Sequence, residues 1–138
     1  MEQRPAAVPI VAGFLFAASA IAAVVGCSLL FPGTLLDRLW ELNKPGAAAF
    51  RALGRASGVL LLVLGAGTLG AAFGLLQHKT WAWWFAVVLF AVNAAGDAVG
   101  LVLTGDWLRS ASGILISSAF LYALTRRSVR RHFPHERQ

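Results

Sequence analysis

Four apolar segments, at about 8–31, 56–77, 81–104 and 110–125, account for most of the chain. A helix that crosses a bilayer needs about 20 apolar residues, within a range of roughly 17–25. Inside hydrocarbon every backbone N–H and C=O must be paired, so only helices and closed barrels can cross. Segments of this length match helices and are about twice as long as barrel strands. The expected fold is therefore all-α, a four-helix transmembrane bundle in a single membrane domain. The fourth segment is the shortest and needs local thinning of the bilayer or flanking anchors. Composition supports the same class. Charged residues make up 13% of the chain and hydrophobic residues 58%, whereas a soluble domain averages about 25% charged.

The basic residues set the topology. Four spans place both chain ends and the 77–80 loop on one side, which carries Arg4, Lys79, Arg126, Arg127, Arg130, Arg131 and Arg137. The opposite side carries Arg38, Lys44, Arg51, Arg55 and Arg109. An excess of Lys and Arg marks the cytoplasmic side, so the sequence predicts cytoplasmic termini. Trp81, Trp83 and Trp84 at the inner end of the third span, with Trp107 beyond its outer end, follow the aromatic-belt distribution. The formal net charge of +6 is explained by this topology. Without zinc-finger spacing or a basic-aromatic surface on a soluble element, it does not imply nucleic acid.

The longest connection, 32–55, has structure of its own. Thr34 is suited to cap a short helix over 35–42. Leu35, Leu36, Leu39 and Trp40 share one face of that helix, which suits it either to lie in the outer interface or to pack on the mouth of the bundle. Asn43-Lys44-Pro45-Gly46 reads as a turn, with Pro45 opening the next helix. If continuous over 45–77, that helix is about 50 Å long and overshoots a ~30 Å hydrocarbon core. Arg51 and Arg55 then lie beyond or near the outer surface.

The third segment holds the chemistry. Asp97 is the only acidic or basic side chain within the four segments, and Asn93 stands one turn before it. An ionisable group at that depth is a functional-site candidate by default. At 100° per residue, Asn93, Gly96, Asp97, Gly100 and Thr104 share one face, which should meet protein rather than lipid. Ser117, Ser118 and Tyr122 of the fourth segment lie at comparable depth and are candidate hydroxyl partners, while Arg55 and Arg109 are candidate ion-pair partners. Three roles for Asp97 are open: a neutral carboxyl sharing hydrogen bonds with Asn93 and a serine, an ion pair, or a proton- or cation-binding group.

Other features are structural in kind. Glycines occupy two sides of the second segment, with small-x3-small spacing at Gly54/Gly58 and Gly70/Gly74. They suit a central helix with two neighbours, or one neighbour and a second subunit. Arg126, Arg127, Arg130 and Arg131 extend the fourth helix into a basic tail at 126–138 that fits anionic inner-leaflet lipid. Val24-Val25-Gly26-Cys27 looks like a lipoprotein signal box, but the apolar run continues through Phe31, so Cys27 reads as an ordinary span residue. His132 and His135 supply only two of the four ligands of a metal site. No metal or cofactor is expected, and no nucleophile-elbow, Cys-x-x-Cys, His-Glu-x-x-His or phosphate-loop motif is present.

Trp81-Ala82-Trp83-Trp84, followed by Asn93-Ala94-Ala95-Gly96-Asp97 and an arginine-rich end, resembles small uncharacterised four-span proteins of the bacterial inner membrane. The resemblance covers roughly 51–133. It implies four helices and a bacterial inner membrane, and nothing about mechanism. The leading functional expectation is a non-enzymatic transporter or channel subunit, or a ligand-binding accessory protein, that self-associates and uses Asp97. The alternative is an assembly protein in which Asp97 is an interhelical clamp. A membrane enzyme acting on lipid or isoprenoid comes third.

Overall fold

Apolar runs of spanning length become helices because each residue then satisfies its own backbone. The computed structural model describes residues 6–41, 44, 48, 52, 54–131 and 133, with only the backbone at Leu39 and Thr104. Its elements are α1 (Ala7–Leu30), a 3-10 helix (Leu35–Glu41), α2 (Arg55–Leu76), α3 (Thr80–Thr104), α4 (Trp107–Thr125) and the single turn α5 (Arg127–Arg130). Among the described residues α1 to α4 are long and apolar enough to cross a membrane. The expected all-α, four-helix class is thus observed.

The chain divides into two units, Phe14–Gly70 and Met1–Gly13 with Ala71–Gln138, and α1 and α2 contribute to both. In the 14–70 unit, α1 and α2 meet through residues without bulk. A Cβ on Gly58 would lie 3.0 Å from the Gly26 carbonyl and 3.0 Å from Leu30 Cγ. A Cβ on Gly65 would lie 3.2 Å from Ala22 Cβ. Close approach lets the Ser19 hydroxyl donate to the Gly65 carbonyl at 2.8 Å, a buried interhelical bond. This face of the second-segment glycines is therefore taken up within the chain. In the other unit Gly74 serves the second neighbour, since a Cβ there would lie 2.5 Å from Ala82 Cβ on α3.

Several expectations are corrected. A continuous helix over 45–77 does not form, because Gly54 adopts φ 63 and α2 begins only at Arg55. A left-handed residue interrupts the helical ladder, and glycine tolerates that conformation. Lys44, expected in a turn, is helical. The rest of the 43–46 turn, Leu42 and Arg51 lie outside the described residues. The amphipathic helix of 35–42 is a 3-10 helix, and Thr34 does not cap it through its side chain. Its hydroxyl donates back to the Phe31 carbonyl at 3.2 Å, while Asp37 accepts from the Gly33 N–H at 2.8 Å. Trp40 fastens the segment to α1 by donating its indole N–H to Ser28 at 3.1 Å.

The fourth span begins earlier than hydropathy indicates. Gly105, at φ 67, ends α3 and returns its N–H to the Leu101 carbonyl. Asp106 then caps α4 by accepting from the Arg109 N–H at 3.4 Å. With Trp107–Thr125 the helix has 19 residues, and no thinning of the bilayer is required. Between α2 and α3 the chain makes a Schellman turn: Lys79 N–H bonds to the Gly74 carbonyl at 2.8 Å and His78 N–H to the Leu75 carbonyl at 3.1 Å. His78 takes the left-handed position usually given to glycine, at φ 56.

Candidate functional site

The two-residue connection Gly105-Asp106 makes α3 and α4 an antiparallel pair, and the contacts along their seam keep one register. Trp83, Phe90 and Asp97 follow each other at heptad spacing on α3. Trp83 donates its indole N–H to the Leu124 carbonyl at 3.0 Å. Phe90 lies against Phe120, with ring centroids 5.0 Å apart. Asp97 lies against Gly113, and Gly100 stands opposite the Ser110 hydroxyl. Ser110, Ser117 and Leu124 are the buried residues of α4, again at heptad spacing.

Asp97 fills the space that a side chain at position 113 would occupy. A Cβ on Gly113 would overlap the carboxylate, at 2.6 Å from Cγ and 2.9 Å from Oδ1. The half-buried carboxylate thus rests on helix backbone. Among the described residues nothing donates a hydrogen bond to it and no cation pairs with it. A carboxylate offers about four acceptor positions, and no hydrogen-bond donor takes one among the described residues.

The structure separates residues that helical periodicity groups together. Asp97 and Gly100 face α4, whereas Asn93 and Gly96 are exposed. Among the described residues the protein-facing stripe is therefore interrupted at Asn93 and Gly96. The α4 contact lies nearer the Trp83–Phe90–Asp97 line, which leaves Asn93 and Gly96 on its flank. Asn93 makes no hydrogen bond to Asp97 among the described residues, so the shared hydrogen-bond role is not observed. The Thr104 side chain lies outside the described residues. Ser117 is buried on the α3-facing side of α4, while Ser118 and Tyr122 are exposed and turned from the seam. Tyr122 instead carries the Arg126 guanidinium over its ring at 5.4 Å. Arg109 is exposed on the first turn of α4 and forms no ion pair with Asp97 among the described residues. Arg55 belongs to the 14–70 unit, exposed at the start of α2. Gly113 and Ser110, which frame the carboxylate, were not expected. Their only signal is the small-residue spacing Ser110-x2-Gly113-x3-Ser117.

At the other end of the seam, α3, α4 and the tail enclose Trp83. It is buried at 4% exposure, whereas Trp81 and Trp84 are each 55% exposed. Trp81 and Trp84 suit the aromatic belt, but Trp83 is a core residue that satisfies a carbonyl in the last turn of α4. The tail does not prolong α4. Arg126 turns extended, at φ −56 and ψ 139, and α5 follows. Val129 and Phe133 are each 1% exposed, and Phe133 lies 6.4 Å from Trp83 and 5.8 Å from His78 by ring centroids. Burial of these two side chains accounts for the break, since a straight helix would carry them away from the unit. Arg126, Arg127, Arg130 and Arg131 remain exposed. His132 and His135 lie outside the described residues. No cluster of His, Cys, Asp or Glu able to hold a metal occurs among the described residues.

Fold and site together define a multi-pass membrane protein with one deep carboxylate at a helix seam. Comparison with known proteins finds no matching protein family, no matching curated protein and no matching solved structure.

Proposed function

We propose that this chain is a non-enzymatic transporter or channel subunit in which Asp97 takes up and releases a proton or a monovalent cation at the α3–α4 seam. The observation that supports it is the carboxylate of Asp97 seated against Gly113 with no hydrogen-bond donor and no ion pair among the described residues. A charge in that position is expensive unless an ion or proton neutralises it. Of the three roles open to Asp97, exchange is the one that needs an unoccupied carboxylate. The basic residues favour cytoplasmic termini, and the resemblance in 51–133 favours a bacterial inner membrane. The exposed arginines of the tail suit anionic lipid of the inner leaflet.

The second reading is an assembly protein with Asp97 as a steric clamp. The fit of the side chain over Gly113 favours it. Proteoliposomes loaded with a pH-sensitive dye, or with a sodium- or potassium-sensitive dye, separate the two. Wild type should dissipate an imposed gradient of one of these ions, and Asp97→Asn, which keeps the shape and removes the charge, should abolish that flux. Equal flux in the two proteins, or none in wild type for all three ions, would leave the clamp.

A further inference from the structure

The exposed flank of α3 has a polar group where the bilayer offers it nothing. Asn93 stands midway along the 25-residue α3, about 20 Å from one end and about 17 Å from the other at ~1.5 Å per residue. Its side chain is exposed, and nothing bonds to its carboxamide among the described residues. A buried amide without partners in hydrocarbon costs about 4–8 kcal/mol on the cyclohexane scale. Gly96, one turn further on, is also exposed, and a Cβ placed there would meet nothing within 4 Å. Leu89, Asn93 and Gly96 repeat at the four-three spacing of a helix-packing seam. The opposite side of α3 is apolar where it is exposed, with Val102 at 84%, as lipid requires.

We propose that this flank docks a second copy of the chain, α3 against α3, with Asn93 of each copy bonding to Asn93 of the other. Depth is the argument for a copy over any other helix. Subunits related by rotation about the membrane normal keep every residue at its own depth, so a midplane residue near the axis meets itself. A carboxamide both donates and accepts, so two of them are mutually complementary, as two carboxylates or two ammonium groups are not. Gly96 leaves room for the helices to approach closely beside that contact. The α1–α2 glycines do not serve this purpose, because Gly26, Gly58 and Gly65 are already in contact within the chain. The seam is also distinct from the Asp97 site, which faces α4.

The test uses the full chain in phosphatidylethanolamine/phosphatidylglycerol vesicles with Cys27→Ser as background. Asn93→Cys should form a disulfide-linked dimer on copper-phenanthroline oxidation, and Ala91→Cys, at nearly the same depth on the opposite side of α3, should not. Energy transfer between labelled copies, followed as lipid is added, then reads affinity. Asn93→Val should weaken the dimer about 3- to 30-fold, the range to which interhelical polar contacts of ~0.6–2 kcal/mol convert. Asn93→Gln, which keeps the amide, should stay close to wild type. Equal cross-linking at both positions, a monomer at every dilution, or an unchanged dimer in Asn93→Val would each overturn the proposal.

Discussion

Gly113→Ala probes the Asp97 site most sharply, because two effects of opposite sign meet there. In an isolated helix the change is stabilising, since alanine is favoured over glycine by about 0.8–1 kcal/mol. In this helix the new Cβ would stand 2.6 Å from Asp97 Cγ and 2.9 Å from Oδ1, whereas non-bonded carbons prefer about 3.5–4.0 Å. An overlap of about 1 Å forces the carboxylate out of its place or α3 away from α4, and overpacking of that kind costs about 1–3 kcal/mol. The clash offsets the propensity gain and can exceed it, so Gly113→Ala is destabilising by up to about 2 kcal/mol net. Removing the obstacle reverses the sign: in an Asp97→Ala background Gly113→Ala should stabilise by about 0.5–1 kcal/mol. The four proteins form a double-mutant cycle whose coupling of about 2 kcal/mol is well above the ~0.5 kcal/mol of independent sites. Reversible unfolding in mixed micelles, followed by circular dichroism against the mole fraction of dodecyl sulfate, supplies the free energies. A coupling no larger than the ~0.5 kcal/mol of independent sites would refute the placement of the carboxylate.

Three further substitutions test the packing around it. Trp83→Phe keeps an aromatic side chain but loses the indole N–H and part of the bulk, and leaves the Leu124 carbonyl without its buried donor, so the same unfolding titration should show a loss of at least about 1–3 kcal/mol. Gly58→Leu places a side chain where even a Cβ lies 3.0 Å from the Gly26 carbonyl. It should separate α1 from α2, with a loss of about 2 kcal/mol or more in unfolding free energy and faster hydrogen exchange at Gly65. Phe133→Ala removes a side chain that is 1% exposed. With the tail freed, trypsin should cut between Arg126 and Arg131 at least about tenfold faster, the factor that ~1.4 kcal/mol of lost docking provides.

The elements were legible because the bilayer leaves few alternatives: once 8–31 and 81–104 are apolar, only a helix satisfies their backbone. Their ends were less so. Gly105 and Asp106 are a stop signal and a cap, yet hydropathy is blind to both and puts the start of α4 at Ser110 instead of Trp107. Asp97 was visible since charge in an apolar run has no cheap explanation. Its counterpart was not, because Gly113 contributes only the absence of a side chain, and that has meaning only once α3 and α4 are in register. Periodicity placed Asn93 beside Asp97, about 40° away around the helix, but could not say where the α4 contact ends. Trp83 is masked by its exposed neighbours Trp81 and Trp84. Ala82, Ala86 and Phe90 share its buried side, a signal available in the sequence and obscured by the run of tryptophans. Helix propensity alone would carry α4 on into the tail, and burial of Val129 and Phe133 overrides it.

The central claim is that Asp97 is an exchangeable carboxyl at the helix seam rather than a closed-off clamp. A hydrophobic carbodiimide reacts from the membrane with protonated carboxyl groups, and peptide mass spectrometry reports which residue carries the adduct. The account predicts modification of Asp97 in wild-type vesicles, decreasing as pH is raised or as the transported cation is added, and restored when that cation is diluted out. An Asp97 that stays unmodified across the whole pH range, or reacts to the same extent at every pH and cation concentration, would contradict it.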